Sequence, residues 1–285
     1  MRLGVIANTG KPMIVEVLKS FLKWLDQQSI KYLVDTDLLD FLNDSRLPHL
    51  PANKLGFDVD FVLSFGGDGT FLQTARSISP SQTPIIGVSL GGFGYLAEVS
   101  PDKLRDRILD LQQGKFHLQE RMMLSAKVEG EETDYIALND IVIDKGGFAR
   151  TIKIETFVDG EFINLFNSDG LILSTPTGST GYSLSAGGPI LEPNCGSIVI
   201  VPICPHTLAN RPLVVSHNRQ INVITTSEFG TFMLAVDGQQ VLELQSGQKV
   251  GISKAPFVTK IVCFEVSSFY NALRTKLRWR NQMDM

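Results

Sequence analysis

Residues 61–72 read Phe61-Val62-Leu63-Ser64-Phe65-Gly66-Gly67-Asp68-Gly69-Thr70-Phe71-Leu72, an apolar strand followed directly by three glycines, one carboxylate and a helical pattern. Ligands of a parallel sheet bind beyond the carboxyl ends of its strands. Glycines there let a phosphate approach the backbone, and the helix that follows points free N–H groups at anions. The stretch predicts an anion-binding turn in which Asp68 orients a hydroxyl or a metal. The alternative is a structural turn with Asp68 as the helix N-cap.

Around this stretch, residues 1–115 alternate between strand and helix patterns. Strands are predicted at 3–7, 61–65 and 85–88, and apolar residues at helical spacing occur at 14–25, 70–78 and 104–111. Such alternation is typical of βαβ units on a parallel sheet. We therefore expect an N-terminal, Rossmann-like α/β domain over residues 1–115.

From residue 116 the apolar period changes to two. Strands are predicted at 124–128, 141–143, 152–158, 221–225, 233–236 and 260–266, with hairpin turns at Asp159-Gly160 and Asp237-Gly238. This pattern predicts a C-terminal, β-sandwich-like domain over residues 116–266. A helical segment, 267–285, is expected to return to the first domain, and its basic residues form either a solvated face or a phosphate contact (Arg274, Lys276, Arg278 and Arg280).

Composition excludes several classes of protein. The 285 residues are 43% hydrophobic, carry a formal net charge of −4, and include no apolar run long enough to span a bilayer. The first residues become polar too early for a signal peptide, and three cysteines without C-x-x-C spacing argue against disulfides and structural zinc. We expect a cytoplasmic protein with neither a membrane nor a nucleic-acid partner.

Two common nucleotide motifs are missing or unsupported. No P-loop pattern occurs in the chain. Residues 92–97 fit the relaxed dinucleotide pattern G-x-G-x-x-A, but Pro101 follows too soon for the long helix which that motif must open. A dinucleotide fingerprint is therefore not expected there.

A second dense segment covers residues 166–189. Eight of the twelve residues from Ser174 to Ser185 carry hydroxyls, which suit ribose and phosphate oxygens because each can donate or accept. The alternative is a polar surface loop. Asn139-Asp140 interrupts a predicted strand at 135–143, either as a bulge or loop end or as a sugar-binding pair. Gln239 is either a hairpin residue or a contact.

At these motifs the chain resembles the NAD kinase family, within the G-G-D-G-T kinase superfamily. The glycine-rich turn at 66–70, Asn139-Asp140, the segment 169–189 and the segment 202–212 follow in the family's order. Two departures stand out: Gly181 replaces the family's usual Ala, and residues 89–92 lack its usual Asn and Arg. A lipid kinase shares the glycine-rich turn, and a non-catalytic dinucleotide-binding regulator would keep the cleft; the polar 174–185 segment and the intact Asp68 argue against them.

The resemblance implies an active site in the cleft between the two domains. There, the family transfers the γ-phosphoryl group of ATP to the adenosine 2′-hydroxyl of NAD, giving NADP, with Asp68 as proton acceptor. It implies a divalent cation, Mg²⁺, without assigning it a protein ligand, and a homodimer or homotetramer. The binding residues that it implies are Gly67, Gly69, Thr70, Phe71, Asn139, Asp140, Arg150, Asn167, Asp169, Thr180, Gly181, Tyr182, Ser183, Leu184, Ser185 and Gln239.

Overall fold

The chain divides into two compact units. The computed structural model describes residues 1–10, 13–91, 94–147, 149–207, 209–264 and 269–279. Met1–Glu120 and Thr259–Met285 form the first unit, and Arg121–Val258 form the second. The sequence predicted divisions after residues 115 and 266, each within eight residues of these. Within the described part of the chain, no helix is long and apolar enough to cross a membrane.

The first unit is a parallel sheet with helices between its strands. Its elements are β1 (Arg2–Ala7), α1 (Met13–Gln27), β2 (Lys31–Asp35), α2 (Leu38–Leu42), β3 (His49–Leu50), α3 (Ala52–Leu55), β4 (Phe61–Gly66), α4 (Asp68–Ile78), β5 (Ile85–Ser89), α5 (Leu104–Gln112), α7 (Phe269–Lys276) and the end of β17 (Lys249–Cys263). The sheet has the strand order β17-β5-β4-β1-β2-β3, and each neighbouring pair is parallel.

The core of this unit explains why the periodic pattern forms helices. Ile14, Leu18 and Leu25 of α1 and Ile108 of α5 are fully buried in one cluster with strand residues such as Leu63. The three positions of α1 are four and seven apart, which places them on one face. The strands are buried on both faces, as parallel strands usually are.

The second unit is built from antiparallel strands. Its elements are β6 (His117–Val128), β7 (Asp134–Ala137), β8 (Asp140–Asp144), β9 (Ile152–Val158), β10 (Glu161–Ser168), β11 (Gly170–Ser174), α6 (Tyr182–Ser185), β12 (Ser197–Ile203), β13 (Leu213–Ser216), β14 (Ile221–Thr226), β15 (Thr231–Val236), β16 (Gln240–Gln245) and most of β17. One sheet has the strand order β13-β12-β11-β8-β15-β16, and another contains β10-β9-β14-β17. β6 and β7 form a further antiparallel pair.

Alternate residues of both sheets meet in one apolar core. Ile141 and Ile143 of β8 and Ile152 and Ile154 of β9 are at most 1% exposed and lie in the same cluster. The period of two follows from this arrangement, because successive strand side chains point to opposite faces. The predicted fold class, parallel α/β followed by a β domain, is confirmed.

Two predictions of elements need correction, and one group of elements was not predicted. The single strand at 135–143 is wrong, because β7 ends at Ala137 and pairs with β6, whereas β8 starts at Asp140 and pairs with β11 and β15. The strand predicted at 260–266 is the end of a longer one that finishes at Cys263, and residues 265 and 266 lie outside the described residues. The short elements between residues 31 and 55 were missed, since the longest of them has only five residues.

Candidate active site

The glycine-rich turn joins β4 to α4 in the first unit. Gly67 is extended at the N-cap, and α4 starts at Asp68. A Cβ atom on Gly66 would lie 2.1 Å from Oγ1 of Thr70, so packing itself requires glycine there. A Cβ on Gly67 would have no described heavy atom within 4 Å. Packing does not require glycine at position 67, and the space beside its backbone is open to a ligand.

The Asp68 carboxylate is held by three consecutive backbone N–H groups. Oδ2 accepts from Tyr95 at 2.9 Å, and Oδ1 accepts from Leu96 at 3.0 Å and from Ala97 at 3.3 Å. The N-cap alternative for Asp68 is wrong, because the residue is inside the helix and its side chain bonds to a different segment. The carboxylate is thus fixed at the carboxyl end of β4.

Sequence reasoning missed the turn that provides these donors. Residues 94–97 belong to the G-x-G-x-x-A pattern, and the next helix, α5, starts only at Leu104. The expectation that no dinucleotide fingerprint occurs there agrees with this order of elements. Every residue except proline has a backbone N–H, so no residue type in the turn pointed to Asp68.

The other predicted residues of this turn contribute mainly to packing. Thr70 is 6% exposed and packs against Gly66. Phe71 is fully buried and its N–H donates to the carbonyl of Gly67, so it offers a ligand neither side chain nor N–H. Gly69 follows Asp68 in the first turn of α4.

A cavity of about 670 Å³ in the first unit adjoins the same turn. It is lined by Gly94 and Leu96 and by residues of β5, α5, the end of β17 and α7. Its lining includes four cationic side chains and one acidic side chain, Lys103, Arg107, Lys276, Arg278 and Glu98. The Lys276 ammonium lies 5.1 Å from the centre of the Tyr95 ring. Of the four basic residues predicted near the C-terminus, Arg280 lies outside the described residues.

In the second unit, Asp237 organises the Asn139-Asp140 pair. Its carboxylate accepts from the N–H groups of Leu138 at 3.1 Å, Asn139 at 2.7 Å and Asp140 at 3.1 Å. These bonds separate β7 from β8 and explain why the polar pair is not a bulge but lies at the end of the connection between two strands, which agrees with the loop-end alternative. The sequence marked Asp237 only as a hairpin residue, and it does occupy a turn with a φ of 49°.

The start of the hydroxyl-rich segment bonds to the carbonyl groups of Leu138 and Asn139, whose N–H groups are bound by Asp237. Thr175 Oγ1 donates to the Leu138 carbonyl at 2.6 Å, and the Thr175 N–H donates to the Asn139 carbonyl at 2.8 Å. A Cβ on Gly178 would lie 2.2 Å from that Asn139 carbonyl oxygen, so glycine is required for this approach. Ser174, Thr175 and Ser179 are fully buried. The surface-loop alternative is therefore wrong for this half of the segment, whose hydroxyls bond to backbone carbonyls.

A cavity of about 510 Å³ lies beside this arrangement, within the second unit. Its lining includes Asn139, Asp140, Tyr182, Asp144 and Asp237. One polar atom of a lining residue, Oδ1 of Asn139, is buried without a hydrogen-bond partner among the described residues. An unpaired buried acceptor is costly, so this atom is suited to receive a donor from a ligand.

Asp140 is the carboxyl group of this cavity with the most altered titration. Burial, and secondly repulsion from Asp237, raise the pKa of Asp140 to about 7. Its side chain is 5% exposed. Near neutral pH it can therefore donate or accept a hydrogen bond, whereas an ordinary aspartate only accepts.

The remaining predicted residues have the following places. Arg150 pairs with Glu228, and its side chain is 69% exposed. Asn167 accepts from the Thr151 hydroxyl at 2.6 Å, and Asp169 pairs with Lys145 at 2.7 Å. Thr180, Gly181, Tyr182, Ser183, Leu184 and Ser185 form a short 3-10 turn and α6, with Ser183 buried, while Gln239 is exposed in the β15–β16 hairpin.

Comparison with known proteins identifies the family of this chain. The ATP-NAD kinase N-terminal domain matches residues 3–116, and the ATP-NAD kinase C-terminal domain matches residues 138–264. An NAD kinase from Desulforamulus reducens is 37% identical over 99% of each chain, and one from Geobacter sulfurreducens is 40% identical over 98% of each. The chain belongs to the NAD kinase family. It is a phosphotransferase, and the predicted family is confirmed.

Solved structures agree with the NAD kinase fold. A yeast NADH kinase complexed with NADH has a TM-score of 0.88 at 24% identity, over 99% of this chain and 89% of that one. An NAD kinase from Archaeoglobus fulgidus in complex with ATP has a TM-score of 0.78 at 26% identity, over 99% of this chain and all of that one.

Proposed function

We propose that this kinase transfers the γ-phosphoryl group of ATP to the adenosine 2′-hydroxyl of NAD, giving NADP, and that Asp68 accepts the hydroxyl proton. The observation that carries the proposal is the Asp68 carboxylate, fixed by three N–H groups beside the open backbone of Gly67. Phosphoryl transfer depends mainly on positioning and charge, so a carboxylate in a fixed place suits it.

The hydrogen bonds support Oδ2 as the oxygen that receives the proton. A carboxylate has about four acceptor sites, two on each oxygen. Oδ1 accepts from Leu96 and Ala97, while Oδ2 accepts from Tyr95 alone among the described N–H groups. Oδ2 therefore retains an acceptor site for the 2′-hydroxyl, and the first turn of α4 favours the phosphate charge nearby.

The second unit supplies the contacts expected for the neutral parts of NAD. The acidic side chains of its cavity, Asp140, Asp144 and Asp237, suit hydroxyl and amine donors and repel phosphates. Asn139 Oδ1 adds an acceptor that has no partner among the described residues. We infer that a ribose hydroxyl or the amine or amide of a base binds here, with Tyr182, 47% exposed, covering it.

We further propose that Mg²⁺ is bound with ATP. Among the described residues no group of three His, Cys, Asp or Glu side chains could hold a metal ion. Mg²⁺ keeps several waters and usually binds one or two carboxylates together with substrate phosphates. We therefore propose an ion that is held mainly by the triphosphate. When bound, it would neutralise the phosphate charge; positioning the hydroxyl remains the task of Asp68.

Two broader proposals concern the protein in the cell. Cys195, Cys204 and Cys263 are free thiols, which supports the proposed cytoplasmic location, a reducing compartment. The oligomeric state, a homodimer or homotetramer, stays a prediction that light scattering of the purified protein would test.

Asp68→Asn tests the role of Asp68. With NAD, ATP and Mg²⁺, the wild type should form NADP, and the variant's kcat should fall by about 10²–10⁴-fold, as expected for loss of a general base. Its affinity for NAD, measured by calorimetry, should change little. Asp106→Asn, on the exposed face of α5, is the matched control and should be as active as the wild type.

Near-normal NADP formation by Asp68→Asn would contradict the assignment. A wild type that binds NAD but does not form NADP would instead support a regulator that keeps only the binding site.

A further inference from the structure

We propose that the turn at residues 94–97 positions Asp68 and that Gly94 is the residue that permits it. This inference rests on the proposed role of Asp68, but its geometry is independent of that role. Gly94, Tyr95, Leu96 and Ala97 touch no reacting atom in this scheme. They act through Asp68, as positioning residues.

The first observation is the space at Gly94. A Cβ atom there would lie 2.0 Å from Oδ1 of Asp68, 2.7 Å from Cγ and 3.0 Å from Oδ2. Real Cβ atoms do not approach other atoms so closely, and Asp68 is a short side chain held by three hydrogen bonds. Any side chain at position 94 must therefore displace the carboxylate or the turn that holds it.

The second observation is that the turn is itself fixed to the sheet. The Gly94 N–H donates to the Ala97 carbonyl at 3.2 Å, which closes the turn. A Cβ on Gly87 of β5 would lie 2.6 Å from both Cα of Ala97 and the carbonyl oxygen of Leu96, so the turn packs directly against this strand. Val99 then bonds to β5 through the Gly87 carbonyl at 3.0 Å.

These contacts place Asp68 between two neighbouring strands. Its Cα follows β4, while its carboxylate is held by a turn attached to β5, and β4 and β5 are paired from Val62–Ile85 to Gly66–Ser89. The side chain is therefore oriented before any substrate binds. Groups oriented in advance are effective because little reorganisation is needed during the reaction, and small misplacements are costly.

The test compares two glycine variants of the same loop. Gly94→Ala should lower kcat by about 10–100-fold, because a misplacement of about 1 Å can cost that much. The KM for NAD should change less than kcat, since the carboxylate would be moved and the NAD contacts of the second unit would remain. Gly91→Ala is the control: its Cβ would have no described heavy atom within 4 Å, and its activity should match the wild type.

Thermal unfolding gives a readout that does not depend on catalysis. Gly94→Ala should lower the Tm of the wild type, but should lower it much less in an Asp68→Ala background, where the clashing carboxylate is absent. If Gly94→Ala alone does not fold, the Asp68→Ala/Gly94→Ala double variant should still fold.

Each outcome decides between the two proposals. Equal Tm losses in both backgrounds, a double variant that also fails to fold, or wild-type kcat in folded Gly94→Ala would overturn the positioning role. If the Tm losses are coupled but Asp68→Asn keeps normal turnover, the proton-acceptor role of Asp68 fails and the contact between Gly94 and Asp68 stands.

Discussion

At the scale of single residues, Asp68 and Asp237 show how similar bonding serves different chemistry. Backbone N–H groups hold the carboxylates of Asp68 and Asp237, and Asp140 lies beside Asp237. Burial and the neighbouring charge raise the pKa of Asp140 to about 7. In the unfolded chain an aspartate titrates near about 3.9. Asp140 therefore carries a proton in the folded state at pH values where the unfolded chain has lost it.

This difference makes stability depend on pH. The contribution of Asp140 is fully present below about pH 4 and is lost as the pH rises through about 7, because the folded state then has to bury a charge. We expect the Tm of the wild type, relative to Asp140→Asn, to fall by about 5–10 °C between pH 5 and pH 8. Melting curves of both proteins in one buffer series measure it. Identical pH profiles for wild type and Asp140→Asn would contradict the prediction.

Asp68 could be predicted from the sequence as a functional residue, whereas Gly94 and Asp237 could not. Asp68 was predicted because it lies among glycines directly after a strand, which is a local pattern. Gly94 and Asp237 were missed as functional residues because each bonds or packs against residues 26–99 positions away. A local pattern contains no information about such distant partners.

At the scale of elements, the segment after β11 holds Leu138 and Asn139 in place by hydrogen bonds. Thr175 is fully buried, and its hydroxyl both donates to the Leu138 carbonyl and accepts from the Gly178 N–H at 3.1 Å. Pro176 ends the strand, as its sequence position predicted. The short helical turns that follow present Thr180 to Ser185 beside the same residues.

Thr175→Val tests the hydrogen bonds of the Thr175 hydroxyl. Valine keeps the shape but leaves two buried backbone groups unpaired, each worth about 1–3 kcal/mol. The variant should have a lower Tm and a higher KM for NAD, because Leu138, the residue before Asn139, loses its support. Thr177→Val, two residues later and partly exposed, should change both quantities less. Equal Tm and KM values for Thr175→Val and wild type would show that the hydroxyl has no such role.

At the scale of the whole molecule, the first unit is completed by residues from the end of the chain. Ile261 pairs with Ile85, and Ile261, Val262 and Cys263 are at most 5% exposed. Leu273 of α7 is also buried. The overall charge of −4 says little about anion binding, because four of the five charged side chains that line the first unit's cavity are cationic.

Two truncations separate these contributions. A chain that ends at Val258 loses the strand beside β5 and about 1.5–3 kcal/mol for each buried Ile or Val, a large part of a usual stability of about 5–15 kcal/mol. We expect its first unit not to fold. A chain that ends at Phe264 keeps the strand and should fold with a lowered Tm. Circular dichroism and melting curves measure both, and a Val258 truncation that melts like the full chain would refute the expectation.

The sequence by itself determined the fold class, the family and the residue proposed as proton acceptor. Each of these follows from local signals: a period of 3.6 or two, glycines after a strand, and ordered motifs. Only the tertiary structure decided that Asp68 is held by residues 95–97, that Asp237 orders residues 138–140, and that Asp140 titrates near neutral pH. The physical reason is that backbone N–H groups orient these carboxylates and that burial raises the pKa of Asp140. Nearly every residue has an N–H group, and only the fold decides which of them a carboxylate meets.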